Sequence, residues 1–266
     1  MNEPMLEKLL NAKKYQDVCP DTVRRVWAEC REKYKRPKEA ERAAREALHG
    51  ITGAFLTPGE AKRCADALRE WAAQGRDDAG LERILAQHAS TRERLPLSRM
   101  DALYEEIFAI AGRPESVLDL ACGLNPLYLG AREIRTVGLD ISGQSVNLVN
   151  NFAASCGAPV RAVCADLLCE GAIPEERFDL ALLFKVLPLL ERQRAGSAAA
   201  VMSRANARAL AVSFPTRTLG GRDVGMERHY AEWMEARVPE GFAIAGRFAD
   251  GNELFYICLL YTSRCV

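Results

Sequence analysis

From Ser98 onward, short apolar runs rich in β-branched residues alternate with longer stretches at helical spacing, and few folds accommodate that alternation. The runs place strands near residues 116–120, 136–141, 160–165, 178–184, 209–214, 242–247 and 253–259, and helices near 99–111, 127–132, 144–155, 189–206 and 226–237. Enough chain separates the first five strands for crossovers, which makes them a parallel sheet covered on both faces. Only residues 248–252 join the last two, and a connection that short makes an antiparallel hairpin.

Residues 1–98 have a different texture. They are rich in Ala, Glu, Lys, Arg and Leu, with apolar positions spaced as on helices: Val23, Val26 and Trp27, then Ala40, Ala43, Ala44, Ala47 and Leu48. A bundle of short helices is expected, broken at Cys19-Pro20-Asp21-Thr22, at Pro37, at residues 75–78, and at Thr57-Pro58-Gly59-Glu60, where Thr57 and Glu60 have capping-box spacing. The expected organisation is an all-α extension over 1–98 and an α/β domain over 99–266, a seven-stranded Rossmann-like sheet closed by one antiparallel strand. That architecture resembles the class I S-adenosylmethionine methyltransferases.

The 36 Lys and Arg balance 36 Asp and Glu, but unevenly: residues 1–99 hold 20 against 16, and the rest hold 16 against 20. A basic module beside an acidic one suits a protein that docks a polyanion with one part only, although such charges also serve as solvated helix faces. The start MNEPMLEKLLNAKKY has acids and no apolar signal region, and no apolar run is long enough to span a bilayer, so a cytoplasmic protein without a membrane partner is expected. None of the nine cysteines makes a C-x-x-C pair, and those in apolar runs, such as Cys122, Cys164 and Cys258, read as small hydrophobes; no metal is expected.

The chemistry concentrates at strand ends. Val117-Leu118-Asp119-Leu120-Ala121-Cys122-Gly123 is a strand closing on an acid, a small residue and a glycine before a helix, at the edge where open α/β sheets bind ligands. It has one glycine where dinucleotide turns have two or three, so alone it says little. Gly138-Leu139-Asp140 ends the second strand with an acid 21 residues after Asp119, a separation that suits a ribose, and Asp166 ends the third, placed for an adenine amino group. Acids end many strands as turn formers, which explains one of the three well and all three poorly. With no G-x-G-x-x-G and no P-loop, a nucleoside without phosphates fits better than NAD or ATP.

Phe184-Lys185-Val186-Leu187-Pro188 follows at the end of the fourth strand. It contains neither the Asn/Asp-Pro-Pro-aromatic motif of amine methylation nor the thiolate that cytosine-C5 methylation needs. Lys185 is a candidate for positioning a base or phosphate, or it snorkels from a strand end.

Several segments, in one order over nearly the whole chain, resemble the aminoglycoside-resistance 16S rRNA (guanine-N7) methyltransferases, the Arm/Rmt group. They are Lys13-Lys14-Tyr15, Cys19 through Arg25, Leu48-His49-Gly50, His88-Ala89-Ser90-Thr91-Arg92-Glu93-Arg94, Asp119 through Pro126, Phe184 through Glu191, and Ser213 through Arg217 with Leu219-Gly220-Gly221. HASTRER and ACGLNP are the most specific. The resemblance implies S-adenosyl-L-methionine as cofactor, with His88 to Arg94 across it and Arg94 meeting the methionine carboxylate. It further implies Ala121 and Gly123 in the cofactor loop, Asp140 on the ribose, Asp166 and Leu167 on the adenine, Phe184 and Gln193 completing the pocket, and Phe55 as an aromatic from the helical module. It makes Lys13, Lys14, Arg24, Arg25, His49 and Arg217 candidate RNA contacts, with 16S rRNA in the 30S subunit as partner, and Lys185, Arg217 and Met226 candidates for handling the target base. No protein partner is implied, and a monomer is expected. The chain departs from the family by running on past Leu254-Phe255-Tyr256 as Cys258-Leu-Leu-Tyr rather than ending in a short basic tail.

This resemblance agrees with what the sequence lacks, since guanine N7 offers a lone pair and no proton, so its methylation needs no general base and no covalent intermediate. Adenine-N1 methylation of the same rRNA region, methylation of a free metabolite, and a non-catalytic RNA- or nucleoside-binding module are the alternatives that this fold leaves open.

Overall fold

The computed structural model describes residues 4–53, 56–216 and 226–261. Seven strands form one sheet in the order β3-β2-β1-β4-β5-β7-β6. These are β1 (Ser116–Leu120), β2 (Arg135–Asp140), β3 (Val160–Cys164), β4 (Phe178–Phe184), β5 (Ala207–Pro215), β6 (Phe242–Asp250) and β7 (Glu253–Leu260). The first five are parallel, and β7 runs antiparallel between β5 and β6. Chain order reverses beside β1, so β1 and β4 diverge there and leave a crevice at their carboxyl ends.

Alternating side chains on the central strands feed two cores. Leu180 and Leu182 of β4 join one, and Ala181 and Leu183 the other. On the first face lie α7 (Leu97–Ala111), α8 (Asn125–Ala131) and α9 (Gly143–Cys156), and on the second α10 (Leu187–Gln193), α11 (Ser197–Arg204) and α12 (Met226–Glu235). The single helix expected over 189–206 is two helices, because Arg194 turns extended and Gly196 takes a left-handed φ of +79°. Cys258 and Leu259, past the point where the family usually turns to a short basic tail, continue β7 and pair with Leu210 and Ala209 of β5.

In the helical part, Pro20, Pro37 and Pro58 each open a helix, as the sequence signals: α2 (Pro20–Lys33), α3 (Pro37–Thr52) and α4 (Pro58–Ala73), after a short α1 (Pro4–Leu10). Thr57 and Glu60 form the capping box in both directions, at 3.3 and 2.7 Å. The part is not one bundle, however. Residues of α1 to α3 close a small core of their own around Leu9, Val23, Val26, Trp27, Ala44 and Leu48. By contrast, α4 and α5 (Asp78–Leu85) bury Leu68, Trp71, Leu81 and Ile84 in the sheet's core, where Trp71 stacks on Phe152 at 5.5 Å. The periodicity that makes these segments helical does not specify which neighbour covers their apolar faces. A short α6 (Ala89–Arg92) then leads toward α7.

Candidate active site

The loop after β1 is built by strain and by a buried polar chain. Ala121 and Gly123 both take left-handed backbone conformations, with φ of +63° and +52°. A Cβ on Gly123 would lie 2.8 Å from the His88 ring, so the glycine is what allows the HASTRER segment to close over the loop. A Cβ on Gly138 of β2 would lie 2.7 Å from Cys122 Sγ, and its absence lets the loop pack against the strand. Behind the loop, Tyr104 OH donates to Asn125 Oδ1 at 2.8 Å, and Asn125 Nδ2 donates to Asp119 Oδ2 at 2.6 Å. Burial pushes the Asp119 carboxyl up to about 7, against the opposing pull of the Asn125 hydrogen bond.

Asp119 therefore braces the loop from inside and does not face the crevice. The expectation that the acids ending all three strands share one crevice fails at Asp119, which is buried, engaged by Asn125, and not among the residues lining the cavity.

The two remaining carboxylates do line a common cavity of about 710 Å³ at the carboxyl end of the sheet. Asp140 takes one backbone N–H on each oxygen, from Gly123 and from Ser142, both at 2.8 Å, which ties the loop after β1 to the end of β2. Burial pushes its carboxyl up, and those N–H groups only partly offset it. Asp166 accepts from Leu168 N at 2.9 Å on one oxygen and from Arg25 Nε at 2.9 Å on the other. Ala121, Gly123, Leu167, Phe184, Lys185, Gln193, His88 and Ser90 also line the cavity. His88 Nδ1 lies 2.8 Å from Ser90 Oγ, and burial, with the charges of Arg94 and Arg92, pulls the imidazole down to about 4, so it is neutral near pH 7.

The roof is the helical part: Val26 and Cys30 of α2 and Ala47, Gly50 and Ile51 at the end of α3 line the same cavity. Of these, Val26 and Ala47 read in the sequence only as apolar positions of helices, Gly50 falls in the matching Leu48-His49-Gly50 segment, and Cys30 and Ile51 carried no signal.

Not every expected site residue reaches the cavity. Ala89, Thr91, Arg92, Glu93 and Arg94 do not line it. Thr91 is buried with its hydroxyl on the Leu85 and His88 carbonyls. Arg94 lies behind Phe184, 4.5 Å from the ring centroid, with its fork on Glu253. The Arg94 fork expected to meet a methionine carboxylate is paired with the carboxylate of Glu253 in this structure. Lys185, with a strained φ of +55°, places its ammonium between Glu93 and Glu253. Lys13, Lys14, Arg24 and His49 are exposed on the helical part, whereas Arg25, grouped with them from the sequence, is turned inward with its side chain 7 % exposed. Phe55 and Arg217 lie outside the described residues, and Met226 opens α12.

Glu253 escaped the sequence reading, although an acid opening the otherwise apolar run ELFYICLL was its signal. Among the described residues no group of His, Cys, Asp and Glu could hold a metal, and no helix is long and apolar enough to cross a membrane.

Residues 11–257 match the ribosomal RNA methyltransferase (FmrO) family. A protein of Serratia marcescens named 16S rRNA (guanine(1405)-N(7))-methyltransferase is 46% identical over 254 residues, covering 95% of this chain and 96% of its own. The structure of the 16S rRNA methyltransferase RmtF in complex with S-adenosyl-L-homocysteine is similar with a TM-score of 0.86 and 44% identity, over 98% of this chain and 100% of that one. That of the 16S rRNA methylase RmtB is similar with a TM-score of 0.83 and 41% identity, over 97% of each chain. A match that spans helical roof, cofactor loop and closing hairpin together means that this chain belongs to the FmrO family of ribosomal RNA methyltransferases.

Proposed function

We propose that the protein methylates N7 of guanine 1405 of 16S rRNA in the assembled 30S subunit, using S-adenosyl-L-methionine, and thereby protects the ribosome from 4,6-disubstituted deoxystreptamine aminoglycosides such as gentamicin and kanamycin. The observation that carries this reading is the cavity with a carboxylate at the end of each of two neighbouring strands, Asp140 and Asp166, beside the close-approach turn at Gly123. Such a site fits a nucleoside without phosphates: carboxylates for ribose hydroxyls and an exocyclic amine, apolar walls at Leu167 and Phe184, and, among the described residues, no phosphate cradle.

When bound, the cofactor supplies a methyl group on a positively charged sulfur. The chain's own part is alignment. Asp140 holds the ribose end and, through Gly123, the loop itself; Asp166, Leu167 and Gln193 bound the adenine end. Guanine N7 attacks with its lone pair and leaves no proton to be taken, which agrees with a cavity whose histidine, pulled down to about 4 by burial and by Arg94 and Arg92, is a poor proton acceptor. Holding nucleophile and methyl in line can supply about 7–11 kcal/mol of the barrier. The target base has to be unstacked to reach the cavity, and Lys185, at the β4 end, is the candidate for receiving it or its phosphate.

Docking falls to residues 1–98 and transfer to residues 99–266. The exposed Lys13, Lys14, Arg24 and His49 supply a sequence-independent grip on phosphates, which favours a folded RNA over a free metabolite as substrate. The test is methylation of purified 30S subunits with labelled cofactor, followed by mapping the modified nucleotide by borohydride reduction and aniline scission. A single modification at that guanine, with gentamicin and kanamycin resistance in an expressing bacterium, is expected. A modified adenine, or none, overturns the reading.

A further inference from the structure

We propose that Arg25 is a positioning residue through which the helical part sets the adenine end of the cofactor site, so that cofactor binding and docking on the 30S subunit strengthen each other. This rests on the function proposed above and goes beyond it.

The guanidinium of Arg25 spans elements far apart in the chain. Its Nε donates to Asp166 Oδ2 at 2.9 Å, its Nη2 to Gln193 Oε1 at 2.8 Å, and its Nη1 to Glu29 Oε2 at 3.1 Å. Glu29 in turn accepts from Arg194 Nη2 at 2.6 Å, and Arg194 Nη1 donates to Leu168 O at 3.1 Å. The fork thus closes a ring around the segment after β3 and the end of α10, with the Arg25 and Asp166 side chains only 7 % and 4 % exposed. The other oxygen of Asp166 is held by Leu168 N, so Arg25 fixes which way the carboxylate presents its remaining lone pairs.

A second latch lies on the ribose side. Asp17 O accepts from Gly143 N at 2.7 Å, Cys19 N donates to Ile141 O at 2.8 Å, and Gln144 Nε2 donates to Asp17 Oδ2 at 3.0 Å. These bonds grip the residues directly after Asp140. The helical part is therefore fastened at both cofactor-binding strand ends, one beside Asp140 and one on Asp166.

Between the latches the helices behave as one body. Val23, Val26 and Trp27 of α2 pack on Ala40, Ala44 and Leu48 of α3 in their own core. Arg24 faces solvent on the same helix turn from which Arg25 faces the cavity. A contact that orders the exposed face of α2 orders Arg25 with it, and a cofactor that orders Asp166 orders α2. Coupling of this kind is reciprocal, so the two affinity ratios must be equal.

The test uses the full-length protein, purified 30S subunits and S-adenosyl-L-homocysteine as probe. Its affinity is measured for the free enzyme and for enzyme saturated with 30S subunits, in the wild type, Arg25→Gln, Arg25→Lys and Arg24→Glu. In the wild type the probe is expected to bind about tenfold more tightly to the 30S-bound enzyme, and 30S subunits to bind more tightly by the same factor when the probe is present. Arg25→Gln should weaken the probe and bring the ratio to one. Arg25→Lys keeps the charge without the fork, so it should recover part of the probe affinity but not the ratio. Arg24→Glu should weaken 30S binding while leaving the free enzyme's probe affinity unchanged. A wild-type ratio of one, or a folded Arg25→Gln or Arg25→Lys that keeps the wild-type ratio, overturns the proposal. Since wild-type methylation of the same 30S subunits is scored alongside, a ratio of one with guanine methylated defeats only the coupling, whereas no methylation defeats the function itself.

Discussion

Arg94 and Glu253 meet fork to fork inside the protein, with Nε 3.1 Å and Nη2 2.9 Å from the two carboxylate oxygens and both side chains at most 4 % exposed. The pair joins the end of HASTRER to the start of β7 and collects Ser213 Oγ at 2.8 Å and Lys185 Nζ at 3.1 Å on the same carboxylate. Although burial opposes it, the charges of Arg94 and Lys185 hold the Glu253 carboxyl below the usual range.

Removing one partner leaves a buried charge alone. Glu253→Ala should cost about 3–5 kcal/mol of stability, while Arg94→Leu with Glu253→Leu should cost clearly less. Urea unfolding of the three proteins decides this, and equal losses in single and double variants would show that the pair is not isolated from water.

Asp140→Ala removes the acceptor for Gly123 N and Ser142 N as well as the ribose partner proposed above. At about 1.5–3 kcal/mol for hydrogen bonds to a charged group, S-adenosyl-L-homocysteine binding should weaken roughly ten- to hundredfold. Calorimetry checks it, with Asp140→Asn expected between the two; wild-type affinity in Asp140→Ala would remove Asp140 from the site.

Reversing charge at Lys13, Lys14 and Arg24 together should weaken 30S binding and flatten its salt dependence, by up to about two to three units of log–log slope if each meets a phosphate. Filter binding across salt concentrations measures this. Cofactor affinity of the free enzyme should not change, because none of the three lines the cavity.

Two groups tilt stability oppositely with pH. The unfolded chain protonates His88 near its ordinary 6.5, while the folded chain resists until about 4, so stability falls as pH drops through that window. Asp119 titrates at 3.8 when unfolded and at about 7 when folded, so stability falls as pH rises between those values. Asp119→Asn should cancel the second slope alone, raising melting temperature relative to the wild type at pH 8 compared with pH 5. A difference between the two proteins that is constant from pH 5 to 8 would contradict a protonated, buried Asp119.

The order of strands and helices, the hairpin at the end and the helix starts at Pro20, Pro37 and Pro58 are all local matters. They follow from spacing, from the missing N–H of proline and from connection length, and they stand in the sequence. So do Gly123, Asp140 and Asp166, because strand ends are readable and the crevice of such a sheet always lies there. What the sequence left undecided is direction. Asp119 and Asp140 end neighbouring strands with the same local pattern, yet only Asp140 lines the cavity, since Asn125, itself held by Tyr104, claims the other. Arg24 and Arg25 are adjacent and identical in type, and a helix sends one to solvent and the other 141 residues away in sequence to Asp166. Residue type and periodicity fix which side chains can carry charge into the interior, while the partner that makes such a burial affordable exists only once distant segments have packed together.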